Sequence, residues 1–201
     1  MRLGQIRLTF KLSLVVVALT VCVVLAIKYR FFVFQKKFQV VEEGAIYRGA
    51  EQTDGVFREL VTDLHCKSVI SLMGSVDNEA KWSNQNHIKY YTFTWNGSGW
   101  GAFDQYYEVG KLLHSQAERP IFFHCAAGDH RANAATFAYL LESGHNAEDA
   151  LDILVNKFGM SEEEEEKSEL AAHLRDYAVW REKKVKAQVS EPKIDAPPAI
   201  K

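Results

Sequence analysis

The stretch Pro120-Ile121-Phe122-Phe123-His124-Cys125-Ala126-Ala127-Gly128-Asp129-His130-Arg131 decides the fold. Its first half, Pro120 to His124, is an apolar, β-rich run. Shortly after it, Ala134, Phe137, Ala138 and Leu141 recur at the i, i+3, i+4, i+7 spacing of a helix with one face on a core. A strand therefore enters a short loop and a helix leaves it. That setting makes an anion cradle, because first-turn N–H groups lack intrahelical partners and carry the positive end of the helix dipole.

The residue types of the loop suit phosphoester cleavage. The thiolate of Cys125 is the nucleophile toward phosphorus, and the backbone N–H groups of Ala126, Ala127, Gly128, Asp129, His130 and Arg131 bind the nonbridging oxygens. Gly128 frees the backbone to curl. The helix N-terminus favours both the thiolate and the bound dianion. Arg131 adds a planar fork of donors for two phosphate oxygens, a geometry Lys does not reproduce. His124 is expected to orient the loop through its ring nitrogens and to help hold the thiolate form, rather than attack anything itself. Coincidence explains this poorly. In a chain with three cysteines, an Arg six positions after one of them arises about once in seven such chains; requiring Gly128 and His124 as well brings this well below about one in a thousand.

Outward from the loop, β-rich runs at Phe38–Val41, Ser68–Leu72, Ile88–Phe93 and Pro120–His124 alternate with helical stretches, an α/β pattern. Asp54 is placed to cap a helix over Val56–Leu64, and Tyr106, Val109 and Leu113 mark one face of another. Gly144 reads as a helix C-cap, after which Ala147, Ala150, Leu151 and Leu154 repeat the core-facing spacing. Ser161 with Glu164 is a capping box, so Glu162–Glu166 reads as a solvated helix start. Beyond Trp180 the chain is Lys/Arg-rich and then contains Pro, and 183–201 is expected to be a disordered tail.

Leu12–Ile27 is almost purely apolar, with Arg2, Arg7 and Lys11 before it and Lys28 and Arg30 after it. As a helix the run covers about 24 Å of a hydrocarbon core about 30 Å thick, and Tyr29 and Phe31–Phe34 extend it through an interfacial belt. Residues 1–37 are therefore expected to form a single-pass transmembrane anchor with its juxtamembrane segment, ahead of a domain over 38–182. A cleavable signal peptide ending at Val24-Leu25-Ala26 stays open, and either version exports or tethers the rest. Basic residues flank both ends, so the positive-inside rule leaves the orientation open. A short basic N-terminus ahead of a large domain gives the working expectation of an inside N-terminus with an extracytoplasmic, periplasmic domain. Lys28, Arg30, Lys36 and Lys37 suit an anionic lipid surface.

At 47% hydrophobic and 25% charged residues, neither wholesale disorder nor a multi-span membrane fold is expected, and a net charge of −2 gives no footprint for nucleic acid. Cys22, Cys66 and Cys125 are too few for a disulfide scaffold. His65-Cys66 and His124-Cys125 lack the spacing of a zinc site, so neither metal nor cofactor is expected. Cys66 reads as a buried thiol ahead of a strand, with a redox partnership to Cys125 as the alternative.

The pattern His124-Cys125-x-x-Gly128-x-x-Arg131 resembles the signature of the protein tyrosine phosphatase superfamily, and the short domain resembles its dual-specificity branch. Ile46-Tyr47-Arg48-Gly49-Ala50-Glu51-Gln52 is similar to the Tyr-Arg-Ser-x-Gln-Pro segment opening many bacterial members, and Lys67–Leu72 is similar to their first core strand. The resemblance spans about Phe38 to Tyr177. It implies a compact dual-specificity-phosphatase-like α/β domain with a central, mostly parallel sheet flanked by helices. It also implies a phosphocysteine intermediate and, as substrate, a phosphorylated protein or a membrane-proximal phosphate. Small exported bacterial members are the most similar, which agrees with a periplasmic domain.

Two departures from the family pattern stand out. Ala132 occupies the place of a Ser or Thr whose hydroxyl stabilises the departing thiolate, with Asn133 as a candidate to reach the sulfur instead. The upstream loop that carries the family's general acid is Thr94–Gly101 here, without a carboxylate. Asp104 and Asp129 are the candidate acids, followed by His130; Asp104 also reads as a helix-start residue, and Asp129 would repel the phosphate dianion. These departures keep open a catalytically weak phosphate-binding module, and the basic juxtamembrane residues keep open a lipid-phosphate phosphatase. The loop Trp95–Trp100 reads either as a flap over the substrate or as a turn with two core tryptophans.

Overall fold

A computed structural model describes residues 15–23, 36–161, 163 and 168–190. Five strands form a sheet: β1 Gln39–Glu42, β2 Ile46–Ala50, β3 Ser68–Ser71, β4 Lys89–Thr92 and β5 Ile121–Cys125, in the spatial order β1-β2-β5-β3-β4. β1 is antiparallel to β2, and every other neighbouring pair is parallel, so the sheet is mostly parallel as expected. Six named helices cover it: α1 Asp54–Asp63, α2 Asp77–Gln85, α3 Phe103–His114, α4 His130–Glu142, α5 Ala147–Phe158 and α6 Glu169–Ser190.

The central strand explains the layering. β5 lies between β2 and β3 and is buried along its whole length, so both faces of the sheet need a cover. On one face Ile121, Phe123 and Cys125 join a core with Tyr106, Val109 and Leu113 of α3, the buried face of α4, and Leu151, Leu154, Leu174 and Tyr177 beyond. On the other, Phe122 packs with Tyr47, Val69 and the α1 residues Phe57, Leu60 and Val61. Side chains alternate across a strand, so Cys125 and His124 necessarily point to opposite faces.

β2 and α2 carry little sequence signal. β2 was not expected as a strand, because Arg48 interrupts its apolar run. In α2, Glu79 and Ser83 are the buried residues, so no apolar stripe announces a helix. Asp54 is the first residue of α1 rather than its cap; Thr53 precedes the helix, and the Asp54 carboxylate accepts from Asn78 Nδ2 at 3.0 Å. Gly144 follows α4 at φ +96, where the His145 N–H closes onto Leu140 O at 3.1 Å.

The expected tail boundary at 182 needs correction, since α6 continues through Ser190. The Lys184 ammonium lies over the Tyr107 and Trp180 rings, and Lys186 pairs with Glu182 one turn away, which favours helix over disorder. Residues 191–201 lie outside the described residues, as does Glu164 of the expected capping box. At the other end, residues 15–23 are helical with exposed valines and Leu19. No helix among the described residues is long and apolar enough to cross a membrane, and the remainder of the expected anchor, 1–14 and 24–35, lies outside them.

Candidate active site

β5 ends at Cys125 and α4 begins at His130, so the expected strand-loop-helix unit is formed. Cys125 is 2% exposed, and its Sγ accepts the Gly128 N–H at 3.2 Å. The loop thus curls back on its own sulfur, with Ala126 and Ala127 exposed on its outer side. Gly128 is required for this curl. Its φ is +69, and a Cβ there would lie 2.6 Å from Ala50 N, so the end of β2 closes the underside of the loop. Glu51 N–H adds a longer contact to Ala126 O at 3.4 Å.

Arg48 on β2 braces this arrangement. It is completely buried, and it donates through Nη2 to Gly128 O at 3.1 Å and to Asn133 Oδ1 at 2.8 Å, and through Nη1 to Thr136 Oγ1 at 3.0 Å. One guanidinium therefore ties the loop to the first turns of α4. Burial lowers its pKa to about 10, against which the nearby Cys125 and Asp129 act to keep it charged. Asn133, considered as a partner for the sulfur, instead gives its carbonyl oxygen to Arg48.

Arg131 stands in the first turn of α4, half-buried, and its side chain makes no hydrogen bond or ion pair with the described residues. A guanidinium carried on the first turn after the cradle, with no partner among the described residues, is available as a donor to an anion. Ala132 is fully buried, so no hydroxyl supports the sulfur from that position. Asp129 sits at the N-cap without making a cap bond; its carboxylate points to the rim, where Lys37 Nζ lies 2.7 Å away. The Lys37 charge offsets the repulsion Asp129 exerts on a dianion. Gln52 holds that lysine segment in place: its amide donates to Lys36 O at 3.0 Å and accepts from Lys36 N–H at 3.1 Å.

His124 faces away from the cradle. Its ring stacks on Phe122 at 5.6 Å, and its Nε2 lies 2.9 Å from Glu79 Oε2, with both residues buried. Asp104 is in the first turn of α3, 76% exposed, and its carboxylate accepts from Lys184 Nζ of α6 at 2.5 Å. The structure thus brings Cys125, Gly128, Asp129 and Arg131 into one loop, while Asp104 lies on a surface helix and is engaged elsewhere.

The loop Trp95–Trp100 adjoins the cradle. Gly99, at φ +91, passes so near the start of α4 that a Cβ would be 2.9 Å from His130 O. Tyr106 pins the loop by donating to Gly99 O at 2.5 Å and accepting from Gly101 N–H at 2.9 Å. Trp95 is core, edge-on to Tyr106, whereas Trp100 is partly exposed and stacked on His173 at 4.2 Å. One tryptophan is therefore structural and the other is surface. Cys66 lies in the opposite core cluster from Cys125, and burial pushes its thiol up to about 12, which makes it a poor redox partner.

Arg48, Glu79, Gln52 and Lys37 carry the site's support and were not singled out for it in the sequence. The available signal was Arg48 itself, a charge inside a strand whose neighbours are apolar.

No family model matches the chain, and no curated protein does. Solved structures do. The core catalytic domain of the PP-IP phosphatase SIW14 from S. cerevisiae superimposes with a TM-score of 0.59 at 18% identity, covering 77% of this chain and 93% of that one. P. aeruginosa TpbA gives 0.57 at 19% identity over 75% and 96% of the two chains, and PTPMT1 gives 0.60 at 14% over 77% and 99%. The chain has the fold that these three solved structures share.

Proposed function

We propose that this chain hydrolyses phosphomonoesters through a phosphocysteine intermediate. The carrying observation is the loop in which the Gly128 N–H is aimed at Cys125 Sγ while Arg131 stands beside it without a partner among the described residues. The Cys125 thiolate forms an S–P bond as the ester O–P bond breaks, and the leaving oxygen takes up a proton. Water then attacks phosphorus, the S–P bond breaks, and thiolate and inorganic phosphate are released. The cradle N–H groups and Arg131 stabilise the charge that develops on the phosphoryl oxygens.

Asp129 is our candidate for protonating the leaving oxygen, since it belongs to the cradle, and it requires Lys37 to withdraw first. Asp104 is the alternative and must likewise leave Lys184. Solved relatives of the fold include TpbA in complex with pTyr and PTPMT1 in complex with PI(5)P, which supports a phosphotyrosine or lipid-phosphate substrate. We place the domain outside the cytoplasm on a membrane anchor over 1–37, on the strength of the apolar run Leu12–Ile27.

The test is phosphate release from an aryl phosphate by the full chain. Cys125→Ser should abolish it, and Arg131→Lys should lower kcat by about 10²–10³-fold. Activity surviving in Cys125→Ser would sink the mechanism. A second reading, a phosphate-binding module with little turnover, is favoured by the buried Ala132 and the carboxylate-free loop 94–101. It gives phosphate or vanadate binding without hydrolysis.

A further inference from the structure

Lys37 reaches the cradle from the segment that enters the sheet, and the backbone on either side of it is clamped. The Ala50 N–H, whose nitrogen a Cβ on Gly128 would meet, donates to Lys36 O at 3.0 Å, so this segment and the cradle rest on the same end of β2. Gln52 closes two more bonds on the Lys36 backbone, and on the other side the buried Phe38 ring stacks on Tyr47 at 5.8 Å. Between these clamps Lys37 has φ +47, a left-handed conformation that suits glycine better than a residue with a side chain. The lysine kept there brings its Nζ to 2.7 Å from Asp129 Oδ2, at the rim of the cradle. Its side chain is 57% exposed, so the pair adds little to stability.

We propose that Lys37 is a specificity-determining residue that binds a second phosphate of the substrate, next to the one held in the cradle, so that the preferred substrate carries two neighbouring phosphates. The proposal rests on the phosphate-binding role given to the loop from Cys125 to Arg131. One phosphate occupies the cradle N–H groups and Arg131, and the rest of the substrate leaves past the rim. A second phosphate there meets Asp129, which repels it, and Lys37, which attracts it. An ammonium has three donors, and Asp129 takes one of them. The remaining two suit phosphate oxygens. Arg48, which is also bonded to the loop, is completely buried, and its donors go to Gly128, Asn133 and Thr136. A phosphate dianion also competes with the carboxylate for the ammonium. Its arrival therefore draws Lys37 away from Asp129, the withdrawal that Asp129 requires before it can protonate a leaving oxygen.

Binding is measured first, by calorimetry on the full chain carrying Cys125→Ser, with inorganic phosphate and inorganic pyrophosphate at one ionic strength. Pyrophosphate should bind about fivefold tighter than phosphate, an advantage that disappears when Lys37→Met is added and survives Lys36→Met. Equal affinity for the two anions, a preference that Lys37→Met leaves intact, or an equal loss in Lys36→Met overturns the proposal. The second arm is hydrolysis, by wild type and Lys37→Met, of an inositol monophosphate and of an inositol bisphosphate with adjacent phosphates. Each is offered free in solution and as a lipid headgroup in phosphatidylcholine vesicles. A higher kcat/KM for the bisphosphate that Lys37→Met removes supports the proposal, and the form that shows it identifies the source of the second phosphate. Equal kcat/KM for mono- and bisphosphate in both forms overturns it. A chain that prefers pyrophosphate through Lys37 yet hydrolyses none of these compounds contradicts the phosphatase reading and supports the second-phosphate site.

Discussion

Replacing Arg48 by Met keeps the volume of the side chain roughly constant and removes its charge and its donors. Three hydrogen bonds are lost, to Gly128 O, Asn133 Oδ1 and Thr136 Oγ1, at 2.8 to 3.1 Å. Bonds from a charged donor contribute about 1.5–3 kcal/mol each, together about 4–9 kcal/mol. Burial of the charge works the other way. Lowering the pKa from 12.5 to about 10 corresponds to about 3 kcal/mol, which Met recovers. Gly128 O and Asn133 Oδ1 lose a donor in Arg48→Met, which keeps the result on the unfavourable side. The net loss expected is about 1–6 kcal/mol, a large part of the stability of a domain this size. Because Gly128 shapes the loop, phosphate should also lose most of its ability to stabilise the fold. Urea unfolding of the full chain with and without inorganic phosphate, read by tryptophan fluorescence, measures both effects. A variant within about 1 kcal/mol of wild type that phosphate still stabilises would refute the role given to Arg48.

Three further outcomes are expected. Gly128→Ala places a Cβ 2.6 Å from Ala50 N at a φ of +69, so anion binding should be lost and stability should fall by at least about 1 kcal/mol, as read by phosphate-induced shifts in melting. Ala132→Ser restores a hydroxyl behind Arg131; if the second step limits turnover, rapid-quench kinetics should show a burst in wild type that shrinks in the variant while steady-state kcat rises. At the base of the sheet burial alone would raise the Glu118 pKa, but hydrogen bonds from Lys89, Ser68 and Tyr91 outweigh it and hold the carboxyl below its ordinary 4.5. A depressed folded-state value gives stability that is fully present above the unfolded value and is lost as pH falls through the folded one. Acid unfolding below about pH 4.5 should therefore be less steep in Glu118→Gln, and an unchanged acid limb would contradict this.

Much of the fold was legible because strong local patterns and burial coincide. The run Ile121–Phe123 is apolar because β5 is covered on both faces, and Ala134, Phe137, Ala138 and Leu141 recur because α4 lies on the core. The elements that escaped are those whose burial is polar. β2 is interrupted by Arg48 and α2 buries Glu79 and Ser83, so periodicity of apolar residues has nothing to register in either. The same division runs through the site. Cys125, Gly128 and Arg131 lie within one loop and are readable from spacing. Their supports come from 36–37, β2 and α2, far away in the chain, and only tertiary structure brings them together. The helical extension to Ser190 is supported by Lys184 meeting Asp104 and Tyr107 of α3, contacts no local pattern contains.

Covalent trapping tests the central claim most directly. The full chain is mixed with an aryl phosphate, quenched in acid within the first turnover, digested, and examined by mass spectrometry. The result expected is one phosphoryl group on the peptide containing Cys125 and none on those containing Cys22 or Cys66, with the adduct absent from Cys125→Ser. Phosphate released at the wild-type rate by Cys125→Ser, or turnover with no adduct on Cys125 at any quench time, would contradict it.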